Sequence, residues 1–371
     1  MEFMMKLKAY LISLLLFPLS HPLLAEDNGL GLSINQSPSS VQEYWTPERL
    51  KNAKEMPIPR VSPQDIQENS QKPLDEKPQF QDAVPPAEGV KPSNTILFTP
   101  DGLEEIPAQK KQFNYGSSGY NFTSSRLIPS TANSSFPYST VGKLFFTIPG
   151  QGDYVCSASV IAKRVVLTAG HCVHSGSGGL GGYFMNFTFI PAYRNGAAPF
   201  LSWTATYVLT TPSWSTGGGT VPNAADYAML EVADQTFMGT LRSISYLTGA
   251  LGWQTNSLIP NHSHLLGYPC NFDSCQEMHQ VTAQSARWVS PNNVEYGSDM
   301  QGGSSGGPWV QNFGIPSTGQ GAGYNPAPNR VVGVTSYGYV NTAIMLQGSS
   351  ILDTRFVSLL NSLCAHQSGN C

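Results

Sequence analysis

From Leu127 onward the hydrophobic positions come in short runs cut by turn residues. Examples are Lys143-Leu-Phe-Phe-Thr-Ile148, Ser157-Ala-Ser-Val-Ile161, Arg164-Val-Val-Leu-Thr168, Tyr227-Ala-Met-Leu-Glu-Val232 and Val331-Val-Gly-Val-Thr-Ser-Tyr337. Short runs rich in Val, Phe, Thr and Tyr between glycines and serines predict strands, and many such strands predict an all-β sandwich or barrel. The segment at about 351–363 departs from this pattern. There Phe356, Leu359, Leu360 and Leu363 recur at helical spacing, which predicts a single C-terminal α-helix.

Residues 26–126 show almost no hydrophobic periodicity and are dense in charge and proline, including Pro57, Pro59, Pro63, Pro85 and Pro86. Such a segment has too little apolar surface to offset the entropy of ordering, so a pro-segment or disordered N-terminal arm is expected. Residues 1–25 have the form of a signal peptide: Lys6 and Lys8, then an apolar run from Ala9 to Leu16, and the small Ala25 ahead of Glu26 and Asp27. Pro18, His21 and Pro22 interrupt a run already too short to span a bilayer, so the expectation is a secreted chain without stable membrane insertion. The chain has 371 residues, 40% of them hydrophobic, enough for one large or two modest domains. Its formal charge is only -4, with 12% charged residues, which provides no basic footprint for a nucleic-acid partner.

The stretch G-S-D-M-Q-G-G-S-S-G-G-P-W, residues 297–309, is not a core-building pattern. A serine hydroxyl there becomes a nucleophile only when a neighbouring base takes its proton and an acid holds that base in one tautomer. Thr168-Ala-Gly-His171-Cys172 supplies a histidine at the end of an apolar strand. Asn223-Ala-Ala-Asp226-Tyr-Ala-Met-Leu230 supplies an aspartate at the start of another. Asp234 competes for the acid role, but it follows its apolar strand instead of opening it.

These three motifs, in the order His171, Asp226, Ser305, resemble the trypsin and chymotrypsin superfamily of serine endopeptidases, as does the fifteen-residue gap from Cys156 to His171. Gly142-Lys-Leu-Phe-Phe146, Gly267-Tyr-Pro269 and Ser304 are most similar to the secreted bacterial and fungal branch that includes glutamyl endopeptidases. The resemblance implies a chymotrypsin-like peptidase domain over 127–371. It would comprise two antiparallel six-stranded barrels (about 137–245 and about 246–350), with the triad between them. It also implies a monomer acting on polypeptides without a cofactor or metal. In that reading the N–H groups of Gly303 and Ser305 form the oxyanion hole, a contribution of about 3 to 4 kcal/mol per donor. Asp299 would be the pocket base that selects Lys or Arg, Ser336 would support Asp226, and Gly338 would leave the pocket mouth open. Proximity and the resemblance together favour the disulfides Cys156–Cys172, Cys270–Cys275 and Cys364–Cys371.

Three positions depart from the trypsin pattern. Gln301 stands where a pocket cysteine is usual. Ser304 replaces the aspartate that binds a newly formed N-terminal amine, so the usual activation switch is absent, although removal of the arm, by a cut after Arg126, would still matter, by unblocking the cleft or by freeing the new terminus. Thr335 stands where glutamyl enzymes carry a pocket histidine. Rival readings remain. G-S-S-G-G also fits an α/β-hydrolase nucleophile elbow, with Asp353 and His366 downstream. His262, His264, Cys270, Cys275 and His279 have the composition of a zinc site. A non-catalytic adhesin on the same fold is the third alternative.

Overall fold

The computed structural model describes residues 29–68, 76–100, 114–316 and 327–371; the expected signal peptide lies outside them. Six strands close the first barrel: β1 (Val141–Ile148), β2 (Gly152–Ala162), β3 (Val165–Thr168), β4 (Met185–Pro191), β5 (Trp203–Thr210) and β6 (Ala228–Val232). Antiparallel pairing runs β1-β2-β3-β6-β5-β4 and returns to β1. Alternation along β1 divides its residues: Leu144 and Phe146 fill the barrel interior, while Phe145 packs toward the second core.

The second barrel comprises β7 (His262–Gly267), β8 (His279–Val289), β9 (Asn293–Gly297), β10 (Pro308–Gln311), β11 (Arg330–Val334) and β12 (Leu346–Ser350). Its order is β11-β10-β7-β8-β9-β12, and a bridge between Tyr337 and Gly348 brings the continuation of β11 back to β12. The architecture is all-β, with a C-terminal helix that runs over Thr354–His366 instead of about 351–363. Asp353 accepts from the Arg355 N–H and starts the helix, so Ile351 and Leu352 stay extended ahead of it. Phe356, Leu359, Leu360 and Leu363 are buried, each contributing roughly 1.5–3 kcal/mol. All three expected disulfides are present. No helix among the described residues is long and apolar enough to cross a membrane.

The arm differs from a disordered segment in the stretches described. It builds no core of its own and borrows the barrels' edges, which is why no periodicity marks it. Leu30–Ser33 adds to β5, Lys54–Glu55 to β2, and Phe80–Gln81 to the short strand Gly252–Gln254. Single anchors hold the pieces between: Val41, Trp45 and Leu50 are buried, and Trp45 Nε1 donates to Asn186 O. The boundary expected at 126/127 ends a strand, Phe122–Arg126, that pairs with β8, and Arg126 is ion-paired with Asp273.

Candidate active site

After β3 the chain makes a tight turn at Gly170–Cys172, and the Cys156–Cys172 bond ties that turn to β2. A Cβ on Gly170 would lie 2.7 Å from Trp214 Cγ and 2.9 Å from Asp226 Oδ1, so only glycine lets the carboxylate approach. Asp226 is fully buried two residues before β6. Its Oδ1 accepts from the His171 N–H at 2.9 Å and its Oδ2 faces His171 Nδ1 at 2.8 Å. Ser336 Oγ donates to the same Oδ2 at 2.6 Å. A carboxylate facing Nδ1 holds the proton there and leaves Nε2 as the basic nitrogen.

The 301–307 loop is shaped by two residues in the left-handed region, Gly303 (φ 88) and Gly306 (φ 76). Ser305 O accepts from Ser157 N at 2.8 Å, and Gly306 N donates to Thr335 O at 2.8 Å, which fixes Ser305 between the barrels. His171 is 2% exposed and Ser305 0%. Among the described residues, neither His171 Nε2 nor Ser305 Oγ has a hydrogen-bond partner, so the two are not bonded to each other in this arm-bound form. A Cβ on Gly306 would meet Thr168 Oγ1 and lie 2.7 Å from Ala169 N. Gly306→Ala therefore destabilises the fold by about 2–4 kcal/mol. A urea midpoint equal to that of the wild type would contradict this.

Asp299 lines a cavity of ≈ 500 Å³ together with Cys270, Asn271, Gln301, Gly302, Thr342 and Met345. Burial raises its pKa above the usual carboxylate value, and a hydrogen bond from Ser124 Oγ at 2.8 Å opposes the rise. Ser124 also meets His279 Nε2 at 2.7 Å, and burial pushes the His279 pKa down to about 4. Asn271 braces the loop by donating to Asp299 O and accepting from Gln301 N. At the departure from trypsin, Ser304 Oγ donates to Gln301 O at 2.7 Å and accepts from Gln347 Nε2 at 3.1 Å. The loop is thus braced internally through Ser304. Thr335 is buried and accepts from Trp309 Nε1. Gly338 N donates to Pro59 O of the arm, so its edge is occupied.

The rival constellations are spread across the molecule. Asp234 pairs with Arg164. Asp353 caps the C-terminal helix, and His366 pairs with Glu231. Cys270 and Cys275 are bonded to each other, His264 stacks on Phe313, and His279 stacks on Phe272.

The Trypsin family model matches residues 130–349. The chain belongs to the trypsin family. Its family and fold make it a serine endopeptidase. Among solved structures it is similar to the protease Anisep from Arthrobacter nicotinovorans, at 29% identity and TM-score 0.51, over 62% of this chain and 98% of that one. It is also similar to the thermostable serine protease AL20 from an extremophilic microorganism, at 27% identity and TM-score 0.52, over 64% of this chain and 100% of that one. No curated protein matches it.

Sequence reasoning missed Ser124 and Gln347. Ser124 belongs to a segment assigned to the arm, and its link to Asp299 spans 175 positions, so no local pattern marks it. Gln347 lies in a strand where nothing distinguishes a polar brace from an ordinary alternating position.

Proposed function

We propose that this trypsin-family chain hydrolyses peptide bonds with Ser305 as nucleophile, His171 as general base and Asp226 as the acid behind it. The observation that carries this reading is the hydrogen-bonded series Ser336–Asp226–His171, with a buried serine held on a glycine-shaped loop that packs against the Thr168–Ala169 segment leading into His171. Ser305 Oγ attacks the scissile carbonyl while His171 Nε2 takes its proton. The oxyanion is held by the N–H groups of Gly303 and Ser305. His171 then gives the proton to the leaving amine, and water hydrolyses the acyl-enzyme by the reverse roles. No cofactor or metal enters these steps. The enzyme is proposed to be secreted and monomeric, and to work once its N-terminal arm is displaced. The strand Phe122–Arg126 stays with the peptidase domain.

Asp299 supports cleavage after Lys or Arg, since a buried carboxylate at the pocket base pairs with a substrate cation. Only eight Lys or Arg residues follow Arg126, which would spare the enzyme's own domain. Asp299→Ser lowers kcat/KM on a lysyl substrate by about 10²–10³-fold and leaves an alanyl substrate nearly unchanged. Equal losses on both would remove Asp299 from the specificity role.

The pH sign follows from the raised pKa. Asp299 takes up its proton at a higher pH than a free aspartate, and the neutral form no longer attracts a cation. KM for the lysyl substrate therefore rises as pH falls through that raised value, ahead of any change in KM for the alanyl substrate. Parallel KM profiles would contradict the assignment.

A further inference from the structure

The arm threads the cleft between the barrels, and its direction there is opposite to that of a substrate. Lys54–Glu55 pairs in parallel with Tyr154–Val155 of β2, and Met56 N donates to Val155 O at 2.9 Å. The chain then crosses the centre of the site, where Gly303 N donates to Met56 O at 3.3 Å. Beyond it, Arg60–Val61 pairs in parallel with Gly338–Tyr339. Gly338 N donates to Pro59 O at 2.9 Å and Val340 N to Val61 O at 3.0 Å. Ile58, 3% exposed, approaches Gly338, and Val61 is buried with Tyr337, Tyr339 and Leu346. Glu55, Pro57, Ile58 and Arg60 roof the Asp299 cavity without filling it.

Chain sense decides what this contact does. The residue before a scissile bond sends its side chain into the Asp299 cavity. Residues N-terminal to the bond must then lie along 338–340, and those C-terminal to it along Tyr154–Val155. The arm has the reverse order, with Lys54 and Glu55 on the leaving-group side and Pro59 to Val61 on the acyl side. If the Met56 carbonyl were attacked, the nitrogen to be expelled would belong to Pro57. That nitrogen lies toward the specificity cavity, and as a tertiary amide it offers no N–H. Pro57 and Pro59 also remove two backbone donors from the stretch that crosses the site, so a substrate's ladder cannot be reproduced.

We propose that residues 54–61 are a built-in inhibitor of the active site. They occupy the Gly303 donor and the 338–340 edge through backbone hydrogen bonds, and their reversed sense leaves them uncut. This regulation rests on the protease reading. It also gives the arm a defined role: Ser305 and His171 are sealed until this stretch leaves, and the cavity below stays preformed.

The test uses the full chain. Ile58→Asp combined with Val61→Asp places two charges in buried sites of the arm and leaves every proposed catalytic residue in place. Intact mass is checked at the start of each assay, so that an unprocessed arm is compared with an unprocessed arm. The initial rate on a fluorogenic peptide rises at least about 10-fold over the unmodified chain; equal, readily measured rates would overturn the proposal. A second readout does not need catalysis. In a Ser305→Ala background, the amides of Gly303, Gly338 and Val340 exchange hydrogen at least about 10-fold faster when the two charges are present. Unchanged exchange would overturn the arm's placement. A cut between Met56 and Pro57 made by the active enzyme would overturn the reversed sense. If the exchange result holds while no form hydrolyses any peptide, the protease reading fails and the arm's placement stands.

Discussion

Ser305→Ala lowers kcat on a peptide substrate by about 10⁶-fold, with KM little changed, once the arm is displaced. Ser305 is the only atom source in this mechanism for the covalent intermediate, whereas the Gly303 and Ser305 N–H donors remain in the variant. The residual rate over water therefore comes from the oxyanion hole and from binding, about 10³–10⁴-fold. The fold tolerates the change. Ser305 Oγ makes no hydrogen bond among the described residues, so removing it breaks none, and the urea midpoint stays at the wild-type value. Loss of activity together with loss of stability would point to a structural serine instead.

Asp226→Asn has the second largest effect, about 10⁴-fold in kcat. The carboxylate accepts three hydrogen bonds, from His171 N, His171 Nδ1 and Ser336 Oγ. An amide turned to keep its oxygen toward the His171 backbone N–H, at the Oδ1 position, presents its NH2 to His171 Nδ1, which favours the wrong tautomer and moves the proton to Nε2. The loss is thus in the base, and raising the pH recovers part of the rate because hydroxide substitutes for the missing general base. A pH-independent loss of the same size would show that Asp226 shapes the loop and does not act through His171. Asp234→Asn serves as the control: its carboxylate faces Arg164 and is expected to leave kcat unchanged.

The readable parts of this molecule were those in which chemistry imposes a local residue pattern. Thr168-Ala-Gly-His171-Cys172 needs a glycine for the approach of Asp226 and a cysteine for the tie to β2, and both needs are written within five positions. The Gly303 to Gly306 loop needs two left-handed residues around a serine, which again leaves a local mark. The strands were legible because short runs rich in Val, Phe, Thr and Tyr, cut by turn residues, have few other interpretations, and these runs are buried at every position. What was not legible depends on partners far along the chain. The arm has no periodicity because its edges are completed by β2, β5, β8 and the 338–340 segment, each paired at long range. Composition alone therefore suggested disorder where the barrels supply the missing half of each ladder. The helix shifted by one turn for a local reason: Asp353 is a better N-cap than any residue at 351, and capping outweighs the apolar run that precedes it.

The internal brace at Ser304 bears on activation. Gln347 and the Gln301 carbonyl satisfy its hydroxyl, so the 301–307 loop is held by internal hydrogen bonds with the arm in place; in the proposed reading this is the oxyanion loop. Activation by displacement of the arm, without reordering of that loop, is the consistent outcome. It agrees with a cavity already formed beneath residues 55–60.

The most direct test of the central claim is reaction with a fluorophosphonate, using the full chain with its arm released by Ile58→Asp and Val61→Asp. Ser305 Oγ forms a bond to phosphorus, fluoride leaves, and His171 takes the hydroxyl proton. Mass spectrometry of the digested protein is predicted to place the adduct on Ser305, and His171→Ala is predicted to abolish it. No adduct, or an adduct on another serine that survives His171→Ala, would contradict the account.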